Sequence, residues 1–266
     1  MTELIKRSLI AVIAIPGLLF LYYYGQIPLL ILMIALSLMS AHELSKMLKN
    51  KSVKLMTTVV SLSAFMCYFT AKLSFESTLY LLFLSMIIFG IEDVIKSKIE
   101  GAFSRFSASV WILVYCGMSF GLAYRIHHLH NGNYLLPLIA VLIWITDSGA
   151  YFVGMNLGKH RGIFKVSPKK SIEGFIGGFV FAVVFALLAH YMMPDKINLI
   201  VAIMMGIVVG ISGQFGDLFE SILKRDCGVK DSSNLIPGHG GILDRFDSFM
   251  IAVPLFYIIY KIVLEL

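Results

Sequence analysis

The chain has 266 residues, of which 58% are hydrophobic and only 14% are charged. A soluble globular domain needs a larger polar fraction to cover its surface, so this composition excludes an ordinary water-soluble protein and predicts one that lies in a bilayer. The net charge of +6 does not indicate nucleic-acid binding, because basic residues interleaved with apolar segments are typical of membrane topology and of contact with anionic lipid headgroups.

The first apolar stretch follows Lys6 and Arg7, as in a secretion signal. No small-residue cleavage site follows it and more apolar segments do, so we predict a retained first helix. A bilayer core of roughly 30 Å needs about 20 predominantly apolar residues, and by this measure the sequence has about nine transmembrane spans. They are 8–25, 27–45, 55–73, 77–95, 108–126, 134–155, 174–193, 197–217 and 247–264.

The basic residues predict the orientation of these spans, because cytoplasmic flanks carry the excess of Lys and Arg. All but four of the 22 basic residues fall on the side of the N-terminus. The exceptions are Lys72, Arg125, Lys196 and Lys261. We therefore predict a cytoplasmic N-terminus and, with an odd number of spans, a C-terminus outside.

The acids lie on the same side, although the topology rule does not require it. Only three of the 16 are outside, namely Glu76, Asp195 and Glu265. A membrane face rich in both positively and negatively charged residues suggests a site that binds metal ions and anions together.

The three cysteines, Cys67, Cys116 and Cys227, have no CxxC spacing, so we interpret them as packing or loop residues.

One acid, Asp147, lies inside the sixth span, where a carboxylate is costly. It is either satisfied by a helix partner or a water pocket, or it forms the polar wall of a substrate or ion cavity. The next span is preceded by Pro168, which disfavours helix at Ser167, and by Ser171, which suits a helix start. Lys169 and Lys170 either only mark the cytoplasmic end of the span or also form an anion-binding site at that helix start.

The run between the eighth and ninth spans carries the strongest signal. We expect Asp217 to end one helix and Asp244 and Asp247 to begin the next, with the i, i+3 pair on one helical face. Since consecutive helices are antiparallel, these carboxylates can meet at one depth near the inner interface. Such carboxylates beside basic residues suit a divalent cation bound to phosphates. The basic residues are Lys224, Arg225, Lys230 and Arg245.

A turn-forming segment, 236–241, lies within this run. Its glycines allow close backbone approach, so its amides are candidates for binding phosphate oxygens. His239 either donates to a phosphate oxygen or braces the loop.

Two long motifs resemble those of a known family. The first, Ser221-x-Leu223-Lys224-Arg225 with Lys230-Asp231 and Pro237-x-His239-Gly240-Gly241-x-Leu243-Asp244-Arg245-x-Asp247, closely resembles the signature of the phosphatidate cytidylyltransferases, the CDP-diacylglycerol synthases. The second is Asp147-x-Gly149-Ala150-Tyr151-Phe152-x-Gly154, with Gly158-Lys159 and Ser167-Pro168-Lys169-Lys170-Ser171-x-Glu173-Gly174. One departure is Ser171, where the family more often has Thr. Residues 1–130 are similar only in being apolar and helical.

The resemblance implies an all-α polytopic enzyme of the cytoplasmic (inner) membrane that joins CTP to phosphatidic acid, requires Mg2+, takes K+ as a candidate second cation, and forms a homodimer. It divides the chain into about five N-terminal spans over 1–130 and a catalytic region over 131–266 that faces the cytoplasm. We expect Asp217, Asp244 and Asp247 to hold the metal. The other implied catalytic residues are Lys224, Arg225, His239 and Arg245. The implied substrate-binding residues are Asp147, Ser167, Lys169, Lys170, Lys230, Asp231, Gly240 and Gly241.

Three alternatives stay open at this point. One is another CTP-using lipid enzyme, acting on an ether lipid or a polyprenol phosphate. A second is a secondary transporter with Asp147 as its ion site, although no internal repeat is apparent. A third is a membrane scaffold, which leaves the converging carboxylates unexplained.

Overall fold

The computed structural model describes residues 3–51, 53, 55, 58–236 and 240–264, with side chains from residue 12 onward. Within these residues the regular structure is helical, and no β-strand is present. The helices are α1 (Glu3–Tyr24), α2 (Gln26–Lys49), α3 (Val59–Lys72), α4 (Phe75–Ile95), α5 (Ala102–Ile112), α6 (Ser119–His127), α7 (Gly132–Leu157), α8 (Ile172–Met192), α9 (Leu199–Asp226) and α10 (Leu243–Leu264). A π-helical segment, Leu113–Met118, joins α5 to α6.

The chain is an all-α polytopic membrane protein, as predicted, and each predicted span overlaps a helix. Among the described residues, seven helical segments are long and apolar enough to cross a bilayer: α2, α4, the segment from α5 to α6, α7, α8, α9 and α10. The other two apolar segments, Val12–Tyr24 and α3, are shorter. At 1.5 Å per residue α3 is about 21 Å long, less than a bilayer core. The number of crossings and the sides of the termini therefore stay predictions.

The described residues divide into two compact units. The first contains the described parts of Gly25–Arg125 and Asp226–Arg245 together with the beginning of α1. The second contains Pro16–Tyr24, Ile126–Arg225 and α10 from Phe246. In the first unit α3 packs against α2, α4 and the π-helical segment. Asp93 and Arg105 link α4 to α5 through two hydrogen bonds of 3.1 Å.

Small residues hold the helices of the second unit close together. A Cβ atom on Gly174 would lie 2.8 Å from the carbonyl oxygen of Ala150, and one on Gly178 would lie 2.8 Å from that of Thr146. These contacts join α7 to α8 by the packing of small residues that is common between membrane helices. Gln214 of α9 adds a hydrogen bond from Nε2 to the carbonyl oxygen of Phe175 on α8, at 3.0 Å.

Two predicted helix ends can be compared with the structure. Ser171 is the N-cap of α8, as expected, and its hydroxyl accepts a hydrogen bond from the Gly174 amide at 3.1 Å. The prediction that Asp217 ends a helix is wrong, because α9 continues to Asp226. Hydrophobicity falls after Asp217, but the following residues favour helix until Gly228, whose φ of +69° is left-handed.

Candidate active site

Helices α9 and α10 approach each other closely at Gly216. A Cβ atom on Gly216 would lie 2.7 Å from the carbonyl oxygen of Asp247 and 2.8 Å from the Cα atom of Ser248. Only a residue without a side chain leaves room for this approach of two backbones. Because Asp217 follows Gly216 directly, the contact places Asp217 at the level of Asp247.

Three predicted carboxylates of the second unit form a group that we name the carboxylate cluster: Asp147 on α7, Asp217 on α9 and Asp247 on α10. Asp247 is its buried member, with 8% of its surface exposed, and its charge interacts with those of Asp217 and Asp147. Lys224 is the cationic neighbour of Asp247. The Ser248 amide donates a hydrogen bond to Asp247 Oδ1 at 2.6 Å.

The chemistry of this cluster fits a divalent cation. Carboxylates close together in a poorly hydrated place repel one another, and a cation would offset that repulsion. Within the described part of the chain, no group of three or more His, Cys, Asp or Glu side chains converges closely enough to hold an ion. Mg2+ does not need such a group, because it commonly keeps several waters and binds one or two carboxylates plus substrate phosphates. Asp217 and Asp247 therefore suit Mg2+ that is bound together with phosphate groups.

Two lysines bring positive charge to the cluster. Lys170 forms an ion pair through Nζ with Asp217 Oδ2. Lys224 forms an ion pair with Glu220 at 2.5 Å, and both side chains are buried within α9. Sequence reasoning missed Glu220, although its place one turn before Lys224 on a helix is a usable signal.

The basic loop, residues 158–171, lies between α7 and α8 and carries Lys169 and Lys170. Arg161 donates from Nη2 to the Gly154 carbonyl oxygen at 2.5 Å and from Nη1 to the Lys169 carbonyl oxygen at 3.3 Å. Ser167 accepts a hydrogen bond at its carbonyl oxygen from the Lys170 amide at 3.1 Å. The loop is thus anchored to the end of α7, with Lys169 exposed beside it.

Glu173 ties the other side of the basic loop to the start of α8. Its carboxylate accepts hydrogen bonds from the amides of Lys159 and His160 at 3.2 Å and contacts His160 Nδ1 at 2.5 Å. Sequence reasoning missed these roles of Arg161, His160 and Glu173. An exposed basic residue near a membrane already has a topological explanation, so the pattern did not single out Arg161 or His160, and Glu173 entered only as part of the second motif.

In the first unit, Asp244 organises the loop between α9 and α10. Its Oδ2 atom accepts hydrogen bonds from the Ser232 amide at 2.9 Å, from the Ser232 hydroxyl at 2.9 Å and from the Gly241 amide at 2.7 Å. Gly240, next to Gly241, has a left-handed φ of +80°. The Gly241 amide, a candidate for phosphate binding, donates in this structure to a carboxylate.

A second acid, Glu43 on α2, binds the same loop and was missed by sequence reasoning. It accepts hydrogen bonds from the hydroxyls of Ser232 and Ser233 at 3.0 and 2.6 Å. It also accepts them from the amides of Ile242 and Leu243 at 3.0 and 2.8 Å. The usable signal was an acid near the inner end of the second predicted span, where a carboxylate that enters the bilayer needs partners.

The remaining predicted residues lie at the ends of α9 and α10 or in the loop that joins them. The exposed ones are Arg225, Lys230, Asp231 and Arg245. His239 lies outside the described residues. Asp226, at the end of α9, forms an ion pair with Lys51 at 2.5 Å.

Comparison with known proteins places these observations in a family. The model of the "Cytidylyltransferase family" matches residues 5–263. The chain is 36% identical over 264 residues to the phosphatidate cytidylyltransferase of Bacillus subtilis (strain 168), which covers 97% of each chain. It is 33% identical over 255 residues to that of Staphylococcus aureus (strain COL), covering 95% of this chain and 97% of the relative. It is 38% identical over 160 residues to that of Staphylococcus haemolyticus (strain JCSC1435), covering 60% and 62%.

Proposed function

The chain belongs to the cytidylyltransferase family, and from this we propose that it is a phosphatidate cytidylyltransferase that joins CTP to phosphatidic acid. The products are CDP-diacylglycerol, an intermediate of phospholipid synthesis, and pyrophosphate. The observation that carries the proposal is the 36% identity to the Bacillus subtilis phosphatidate cytidylyltransferase over 97% of both chains. The carboxylate cluster and the basic loop supply the groups that such chemistry needs.

The reaction is an in-line displacement at phosphorus. An oxygen of the lipid phosphate attacks the α-phosphorus of CTP, the bond from that phosphorus to its bridging oxygen breaks, and pyrophosphate leaves with the electron pair. The lipid phosphate is already largely ionised at neutral pH, so no strong general base is required. The protein must supply charge neutralisation and alignment.

We assign the metal to the acids predicted from the sequence. A bound Mg2+ would supply positive charge that offsets the negative charge of the phosphates. Asp217 and Asp247 would hold it, and Asp147 would line the cavity. Asp244 is the third ligand that the sequence predicts, and in the structure its carboxylate accepts hydrogen bonds from Ser232 and Gly241. K+ is the proposed second cation.

Basic residues neutralise the triphosphate and the leaving pyrophosphate in this proposal. Lys170 and Lys224 are held by ion pairs with Asp217 and Glu220, so their ammonium groups approach the phosphates from defined positions. The exposed members of the set are Lys169, Arg225, Lys230 and Arg245. Asp231, Ser167, Gly240, Gly241 and His239 complete the proposed substrate contacts.

The location of the site follows from its substrates. CTP is a cytoplasmic solute, and phosphatidic acid reaches the site sideways from the inner leaflet. We therefore propose a multi-pass protein of the cytoplasmic membrane with its site on the cytoplasmic side. The family resemblance supports a homodimer.

Pyrophosphate release by the purified protein in detergent tests this function. We expect release only when CTP, phosphatidic acid and Mg2+ are all present, with CDP-diacylglycerol identified by mass spectrometry. Release with a polyprenol phosphate or an ether lipid, but not with phosphatidic acid, would reassign the acceptor. Absence of release with every acceptor, in protein that melts cooperatively, would contradict the proposal.

Metal removal tests the metal assignment separately. We expect excess EDTA to abolish pyrophosphate release, and added Mg2+ to restore it, because the triphosphate charge is then again neutralised. The matched control is the same EDTA treatment with Mg2+ already in excess. Turnover that persists at full rate in EDTA would contradict the metal requirement.

A further inference from the structure

The start of α10 is capped by a residue from a distant part of the sequence. The first N–H groups of a helix have no carbonyl partner within the helix, so a buried helix start needs acceptors from elsewhere. Glu43 accepts hydrogen bonds from the amides of Ile242 and Leu243, although it lies 200 residues before Leu243. A negative charge is also favoured at this end of a helix by the peptide dipoles.

The same carboxylate holds the loop that leads into α10. Ser232 and Ser233 both donate to Glu43 through their hydroxyls. Four hydrogen bonds thus converge on one side chain that is 4% exposed. The loop cannot shift without breaking hydrogen bonds to a buried charge, which is costly to leave unsatisfied.

Glu43 and Ser232 leave no room for a side chain at residue 241. A Cβ atom on Gly241 would overlap Glu43 Oε2 and Ser232 Oγ, which explains why a glycine stands at this position. The Ile242 amide donates to Oε1 and the Leu243 amide to Oε2, and backbone amides can only donate, so an acceptor with two oxygens matches them and a carboxamide does not. A glutamine would turn an NH2 group toward some of these donors.

Glu43 contacts residues that are direct neighbours in sequence of residues assigned to the site. Lys230 and Asp231 immediately precede Ser232, and Asp244 immediately follows Leu243. The Ser232 hydroxyl donates to Asp244 as well as to Glu43, so the two carboxylates share one donor. A change at Glu43 therefore reaches the residues that we assign to CTP binding without touching a reacting atom.

We propose that Glu43 is a positioning residue for cytidylyl transfer, which holds the α9–α10 loop and the first turn of α10 in the geometry that binds CTP. This inference rests on the proposed function. The hydrogen bonds from Ser232, Ser233, Ile242 and Leu243 carry it, and a change at residue 43 affects all four donors at once.

The test compares Glu43→Gln, Glu43→Asp and Ser233→Ala with the wild type. The KM for CTP is measured by pyrophosphate release at saturating phosphatidic acid. We expect Glu43→Gln to raise KM at least five-fold, Glu43→Asp to recover part of that loss, and Ser233→Ala to give a smaller rise. A variant that merely folds to a lower extent loses apparent kcat, but its folded fraction keeps the wild-type KM.

Asp93→Asn is the matched control, because Asp93 is also a carboxylate of the first unit that binds a distant residue, Arg105. We expect it to lower the melting temperature with little change in KM. An unchanged KM in Glu43→Gln, or an equal rise in Asp93→Asn, would overturn the proposal.

Hydrogen exchange gives a readout that does not depend on turnover. We expect the amides of residues 241–243 to exchange at least ten-fold faster in Glu43→Gln than in the wild type. Unchanged exchange would overturn the role of Glu43 even if the wild type proved inactive with CTP. Inactivity of the wild type combined with faster exchange would contradict the proposed function alone.

Discussion

Single residues in this protein show how charge is accommodated in a low-polarity setting. Asp247 is nearly buried, and its neighbours include two other carboxylates and Lys224. A buried charge is tolerated only when it is paired or hydrogen-bonded. The Ser248 amide and the Lys224 ammonium provide part of this compensation for Asp247. A cation bound with the nucleotide would provide the rest.

Asp217→Asn and Asp247→Asn should each lower kcat at least ten-fold. A ten-fold loss corresponds to about 1.4 kcal/mol, and removing a ligand from a metal-bound phosphate should cost more than that. The assay is pyrophosphate release at saturating substrates, with the melting temperature measured on the same preparations. Asp195→Asn is the control, because Asp195 is exposed on the predicted outer side. Normal turnover in either site variant would refute the metal assignment.

At the scale of helices, the position of the cluster depends on a close approach that one glycine allows. The contact of Gly216 with Asp247 and Ser248 joins α9 and α10 backbone to backbone. Gly213 lies one turn earlier on α9, and a Cβ atom there would meet nothing nearer than 3.9 Å. The two glycines therefore differ in the space around them although they lie on the same helix.

Gly216→Ala should impair the enzyme, and Gly213→Ala should not. The added methyl group at residue 216 meets backbone atoms that cannot rotate away, so α10 must shift and Asp247 moves relative to Asp217. Overpacking of this kind typically costs about 1–3 kcal/mol. We expect a lower melting temperature and at least a ten-fold lower kcat for Gly216→Ala, with near-wild-type values for Gly213→Ala. Equal behaviour of the two variants would contradict the role of the close approach.

At the scale of the whole molecule, the chain separates charge from apolar surface. Most of its basic and acidic residues belong to one predicted face, where the substrates are also expected.

The three cysteines are buried. Burial and the neighbouring Asp226 carboxylate raise the pKa of the Cys227 thiol, so it stays protonated and reacts slowly at neutral pH. The natural chain is therefore a suitable background for mapping topology with added cysteines.

Lys98→Cys and Asp195→Cys should report opposite sides of the membrane. Both positions are exposed outside the predicted spans. In intact cells we expect a membrane-impermeant maleimide to label Asp195→Cys at once and Lys98→Cys only after permeabilisation. The wild type, with its buried thiols, is the control for background labelling. Labelling of Lys98→Cys in intact cells would reverse the predicted orientation.

The sequence alone determined the features that depend on local pattern. Long apolar runs located the helices, because an apolar run of about 20 residues is the length of a helix that crosses a bilayer. Ser171 was recognised as a helix start, because a capping hydroxyl acts on an amide three residues away. The motifs that contain Asp147, Asp244 and Asp247 indicated the family from the sequence alone.

Only the tertiary structure decided which distant groups meet. The end of α9 was misplaced at Asp217, because hydrophobicity ends there but helix propensity does not. The pairing of Glu43 with Leu243 joins residues 200 positions apart, and no periodicity encodes such a contact. The approach at Gly216 likewise depends on which helix packs opposite that glycine. Contacts of this kind arise from the packing of whole helices, so they become visible only when the chain is folded.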